Sequence, residues 1–273
     1  MPTAEVKEAL ASLIQSGDTL DFVDMTQRWH NRVPTWPYFP SSEIRNFHSH
    51  HKDGLCSLII ETNMHSGTHI DAPLHFNAGG WDLADMPLDR CQGSALVVDL
   101  SHEVEEWTYI NREMIERNIP EGEALRENDI LILYFNWKRF NWEGTERNEQ
   151  TFFCKHPGPD PSVTDWLIEK RVKWVASDAP AFEHPWNLMI KNYRPDLVRE
   201  WEQKTGLKLD DVHLEDHYLH CHRRMMKENL MHVDNVGGDV DKVLGKRIYV
   251  MALPWRFVGG EACICRLVGL VGG

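Results

Sequence analysis

The chain has 273 residues, 42% of them hydrophobic and 26% charged, with a formal net charge of −13. That length buries a substantial core without disulfides, and the acidic balance argues against nucleic acid, whose phosphates need clustered Lys and Arg. No apolar run approaches the ~20 residues that span a bilayer, so no membrane partner is expected.

In chain order, residues 3–15 carry the pattern of a short amphipathic helix, with Thr3 as its cap and Gly17 as its stop. The start, Met1-Pro-Thr-Ala-Glu-Val-Lys7, lacks a basic stretch followed by an apolar one, so no secretory signal is read. Val33–Pro40 follows. Pro34, Pro37 and Pro40 disfavour helix there, leaving a surface loop or an aromatic arm (Trp36–Phe39) over a pocket, its own or a neighbouring subunit's.

Beyond residue 50 the chain reads strand-rich. Short apolar, β-branched runs bounded by turn residues predict strands at 55–62, 95–100, 129–135, 174–177, 247–253 and 262–271. Helices are predicted at 111–118, at 163–170 with Ser162 as cap, at 195–205 ending at Gly206, and from a cap at Asp210 or Asp211 through Lys227. The mixture predicts an α/β or α+β domain with a mostly buried sheet. Eleven Trp residues are unusual; several are expected at a pocket or interface, against the plainer reading of core filling. Six cysteines form no CxxC pair. Cys263 and Cys265 read as buried thiols on one strand face, and the whole set fits a reducing, cytoplasmic setting.

The densest group of metal-ligand residue types is His65, His69, Asp71 and His75. As a helix, Asp71 would point away from His65 and His69, and Gly67 and Pro73 resist helix. As a strand, all four share one side by alternation, but four residues span about 13 Å against metal–nitrogen bonds of about 2 Å. The chain must curl, and Gly67 permits it. Two imidazoles and a carboxylate suit Zn, Mn or Fe. The bland alternative is a histidine-rich surface loop in a chain with 15 histidines. No G-x-S-x-G elbow, P-loop or G-x-G-x-x-G competes.

The stretch His65-Ser-Gly-Thr-His69-Ile-Asp71-Ala-Pro73-Leu-His75 resembles the signature of the metal-dependent cyclase family, which includes bacterial kynurenine formamidase and isatin hydrolase. Phe22–Thr26 resembles the family's opening strand, Lys155-His-Pro-Gly158 its central turn, Ser177-Asp178 the strand end that follows, and Asn229–Val236 its late strand. The resemblance implies a swivelling β/β/α domain over residues 18–273, with residues 1–17 as a helical extension. It implies His65, His69 and Asp71 as metal ligands and His75 as the catalytic histidine. It further implies a histidine and, twelve residues on, a carboxylate as ligands. His222 and Asp234 have that spacing, although Asp234 stands where the formamidase branch has glutamate. His220 is the alternative to His222. His232 is set aside as structural, and His156 and Asp178 are read as turn and loop residues.

The implied cofactor is one or two Zn or Mn ions, and the implied quaternary state is a homodimer or higher homo-oligomer. A bound dication lowers the pKa of water towards ~7, and imidazole titrates near neutral pH, so His75 is the expected proton shuttle. The expected activity is cleavage of an aryl formamide of the N-formylkynurenine type, in tryptophan breakdown. Ring opening of a cyclic imide, amide or lactone is the alternative. A metal-binding scaffold without turnover is the reading from another class, and it leaves His75 without a role.

Overall fold

The computed structural model describes Glu8, Ser12 and residues 21–31, 33, 35–213 and 217–271. The helix expected over 3–15, and the boundary drawn near residue 17, fall almost wholly outside the described residues.

The strands in chain order are β1 (Phe22–Asp24), β2 (Glu43–His48), β3 (Ser57–Glu61), β4 (His69–Asp71), β5 (Gln92–Asp99), β6 (Tyr109–Ile110), β7 (Ile130–Tyr134), β8 (Gly158–Pro159), β9 (Trp174–Ser177), β10 (Met231–Asp234), β11 (Arg247–Leu253), β12 (Ala262–Ile264) and β13 (Arg266–Leu270). Nine of them form one sheet in the order β1-β13-β11-β5-β7-β9-β10-β4-β12. The run β5-β7-β9-β10 is parallel, and the other pairings are antiparallel.

The run predicted as one strand at 262–271 is two strands, separated only by Cys265. They pair near opposite ends of the sheet: β12 with β4, β13 with β1 and β11. One short stretch of chain therefore draws the two ends together and curls the sheet. Thr26 and Val236 form a bridge across the same closure.

Alternation divides the sheet's residues between two cores. Ala95, Val97, Ile130 and Ile132 face inward with Ile70, Val233 and Val250. Leu96, Val98, Leu131 and Leu133 face outward, under Val163, Leu167, Trp186 and Met225. With both faces covered, β7 reads as an unbroken apolar run, as parallel strands do. Cys263 and Cys265 are buried among the inner residues.

The helix at Pro161–Lys170 is capped by Asp160, whose Oδ1 accepts from Ser162 N at 2.8 Å, rather than by Ser162. Pro161 takes the first helical position, where its missing N–H costs nothing. Where one helix is predicted from Asp210 or Asp211 to Lys227, the described residues form two separate helices, Leu209–Val212 and His220–Lys227, the second opening at Leu219 with φ 52°. Pro195–Thr205 ends at Gly206 as read, and Asn111 caps Arg112–Arg117 by accepting from Met114 N at 2.9 Å. Tryptophan mostly fills core: seven of the eleven are buried.

Candidate metal centre

The metal-ligand motif is folded by its own small residues. Gly67 has φ 65°, the left-handed region that glycine enters freely. Ser66 Oγ accepts from Trp29 Nε1 at 3.0 Å. Thr68 Oγ1 donates to Asn235 O at 2.6 Å and accepts from Gln27 N at 2.9 Å. The chain thus turns at Gly67, enters β4, and turns again through the 3-10 turn Pro73–His75. This double turn gathers residues that a straight strand would spread apart.

Strand pairing supplies more of the cluster. On β10, Asp234 lies opposite His69 and His232 opposite Asp71, so these four side chains share one face. His232 therefore belongs to the cluster, contrary to the sequence reading. A period of two puts it on the same side as Asp234. The helix His220–Lys227 brings in His222, whereas His220 is outside the groups of potential ligand atoms.

Asp71 sits at the centre. On its Oδ1 side are His65 Nδ1 at 3.0 Å and His69 Nε2 at 3.4 Å. On its Oδ2 side are His232 Nε2 at 3.4 Å and His75 Nε2 at 3.8 Å. Three sets bring ligand atoms within 4.8 Å of one another: His65, Asp71 and His75; His69, Asp71 and Asp234; and Asp71, His222 and His232. Asp234 thus groups with His69, not with His222.

The rings are held from behind. His69 Nδ1 meets Gly67 O at 2.8 Å, and His222 Nδ1 meets the buried Glu183 at 3.1 Å. Glu183 also accepts from Cys221 N at 2.9 Å and from Asn187 Nδ2 at 2.7 Å. Glu261, just before β12, accepts at 2.8 Å from both His65 Nε2 and His75 Nδ1. Neither Glu183 nor Glu261 was singled out from sequence. Each is distant along the chain from the rings it holds, and Glu261 follows a glycine pair that reads as a plain turn. Asp178 is structural, accepting from Phe135 N at 2.8 Å and Lys138 N at 3.0 Å. His156 is buried, with Nδ1 on Pro157 O at 3.0 Å.

The electrostatics call for positive charge. Burial opposes protonation of His65, but Asp71 and Glu261 outweigh it and hold that ring at about 10. Burial likewise opposes, and Asp234 and Asp71 outweigh it, at His232, held at about 9. Burial alone dominates at His69 and His222, whose pKa values fall, favouring the neutral, ligating form. Asp71 Oδ1, Asp234 Oδ1 and both nitrogens of His232 are buried without an aligned hydrogen-bond partner. Buried polar atoms left so are costly, and a divalent cation gives the carboxylate oxygens and one nitrogen of each imidazole a partner. The residues present therefore fit the expected Zn or Mn chemistry.

The centre forms the floor of a cleft of about 900 Å³, counting its open mouth. Its walls are apolar and aromatic, including Trp36, Tyr38, Phe39, Phe76, Phe153 and Tyr218. The arm Trp36–Phe39 lies over this chain's own site: Phe39 is 5.6 Å from the His65 ring and Trp36 is 6.0 Å from Phe153. Trp36 is the one tryptophan among the described lining residues.

Fold and cluster together place a group of potential metal ligands at the end of a curled sheet. Residues 23–184, well over half the chain, match the family described as "Putative cyclase", and the chain belongs to that family. It is similar to the kynurenine formamidase of Erythrobacter litoralis, 26% identical over 204 residues that cover 75% of this chain and 72% of the relative. Its fold is that of an isatin hydrolase solved with the product analogue thioisatinate: TM-score 0.77, 18% identity, full coverage of both chains. Isatin hydrolase A from Ralstonia solanacearum superposes with a TM-score of 0.76 at 18% identity, covering all of this chain and 98% of that one. The chain is thus a hydrolase of the cyclase family. Among the described residues no helix is long and apolar enough to cross a membrane.

Proposed function

We propose that the chain hydrolyses the C–N bond of an aryl formamide of the N-formylkynurenine type, a step of tryptophan breakdown, with Zn or Mn held by His65, His69, Asp71, His222 and Asp234. The observation that carries the reading is the Asp71-centred cluster at the floor of an aromatic cleft. A bound dication supplies Lewis acidity at the substrate carbonyl and a nucleophilic water at neutral pH.

The protein's own part is binding, orientation and proton movement. The aromatic walls take the substrate ring and exclude water. Glu261 accepts from His75 Nδ1 at 2.8 Å, which fixes the tautomer and leaves the lone pair of Nε2 facing the cluster. His75, with a side chain 23% exposed at the cleft, takes a proton at Nε2 and returns it to the leaving nitrogen.

One observation favours a second reading. No Lys, Arg or Glu is among the described residues lining the cleft, and its only aspartates belong to the cluster. Among the described residues an amino-acid head group finds no charged partner there outside the cluster, whereas a neutral cyclic imide, amide or lactone needs none. Turnover of N-formylkynurenine beside isatin, a cyclic imide and an aryl lactone tests both readings. Hydrolysis of the formamide in preference supports the first, hydrolysis of the rings alone supports the second, and hydrolysis of none contradicts both. Assembly as a homodimer or higher homo-oligomer belongs to the same proposal. Phe47, Leu58 and Ile60 are more than half exposed on the β2–β3 hairpin, a patch that fits a second copy; a monomer by light scattering would contradict it.

A further inference from the structure

His232 has no counterpart in the ligand set the motif implies, yet no side chain of the cluster is more enclosed. It is fully buried, and neither ring nitrogen makes an aligned hydrogen bond. A neutral imidazole placed so can give its one N–H to a carboxylate, but the lone pair of its other nitrogen is left facing a second carboxylate, which cannot satisfy it. Nε2 lies 3.4 Å from Asp71 Oδ2, and Nδ1 lies 3.1 Å from Asp234 Oδ2.

His222 stands in the same relation to its neighbours. Its Nδ1 is 3.1 Å from Glu183 Oε2, and its ring centre is 4.6 Å from that of His232, at a steep 80°. Each imidazole thus has a buried carboxylate behind Nδ1. That leaves Nε2 for the space beside Asp71, the arrangement in which a carboxylate orients a metal-ligating histidine. Asp71, His222 and His232 bring their ligand atoms within 4.8 Å of one another. The other oxygen of Asp71 faces His65 and His69, so the carboxylate has two sides with a separate ligand set on each.

We propose that His232 is a metal ligand, completing with His222 and Asp71 a second divalent-cation site, while Asp234 backs His232 and groups with the first site. The shorter Asp234 does not reach across to His222, and His232, two residues earlier on β10, takes that place. The inference rests on the metal-dependent reading above and adds a ligand and a reassignment to it.

The test uses the full chain, stripped with chelator and titrated with Mn(II) alone, with bound metal counted by elemental analysis after gel filtration. Two ions per wild-type chain, falling to one in both His232→Ala and His232→Gln, is the expected result. The remaining ion should keep its affinity within about 10–100-fold, the scale of effects from residues behind a ligand. Two ions retained in either folded variant would overturn the proposal. If neither variant folds, the wild-type count decides: one ion in a chain that still hydrolyses its substrate overturns the second site and leaves the hydrolase reading standing. No ion in the wild type overturns both.

Discussion

Glu261 holds two imidazoles with one oxygen, His65 through Nε2 and His75 through Nδ1, each at 2.8 Å. Burial works against its charge, but those two hydrogen bonds outweigh it and keep the carboxyl at about 2, ionised throughout the working range. His75 is the more exposed of the pair and opens on the cleft. His75→Ala should therefore lower kcat by roughly 10²–10⁴-fold, the usual range for a general acid–base group, while metal content measured by elemental analysis stays unchanged. Loss of metal with the side chain would make His75 a ligand instead. At this scale the sequence was legible where the site is local. Eleven consecutive residues carry Asp71, three of the imidazoles around it and the glycine that bends them. Glu183 and Glu261 were not legible, because only the folded chain brings them to His222, His65 and His75. His232 was misread although alternation with Asp234 was available.

The motif's turn depends on Gly67 at the scale of elements. Its φ of 65° already costs a side chain about 1–2 kcal/mol, and a Cβ there would sit 3.0 Å from Trp29 Cδ1. Gly67→Ala should lower Tm by several degrees, taking about 2–4 °C per kcal/mol for a chain of this size. It should also weaken metal binding, because His65 and His69 flank the turn. Unchanged Tm and affinity would show that the backbone there is not constrained as described. Strands β9 and β11 coincide with the predicted runs 174–177 and 247–253, since each is an apolar run closed by turn residues. The split at Cys265 was not legible. Nothing local distinguishes a strand that changes neighbours from one that continues: Cys265 N still donates to Thr68 O at 3.1 Å beside β4, whereas Arg266 already pairs with Leu253 of β11. The helix ahead of His222 failed for a similar reason: the apolar and charged pattern from Asp210 to Lys227 runs on, while the backbone turns left-handed at Leu219.

Over the whole molecule, the sheet's closure and the metal cluster are one construction. β4 lies between β10 and β12, so the same pairing that curls the sheet sets His69 and Asp71 opposite Asp234 and His232 and brings Glu261 alongside. The family motif located this centre in the sequence, whereas the charge on the chain did not. Buried Asp71, Asp234 and Glu183 count in the net −13 although they serve the site rather than the surface. In the function proposed above, these side chains hold a divalent ion for hydrolysis. Elemental analysis of metal per chain, on the purified wild type and on His69→Ala, tests it most directly. One or two Zn or Mn ions per wild-type chain, with loss of at least one in His69→Ala, is the expected result; a wild type that binds no metal even after reconstitution would contradict the account.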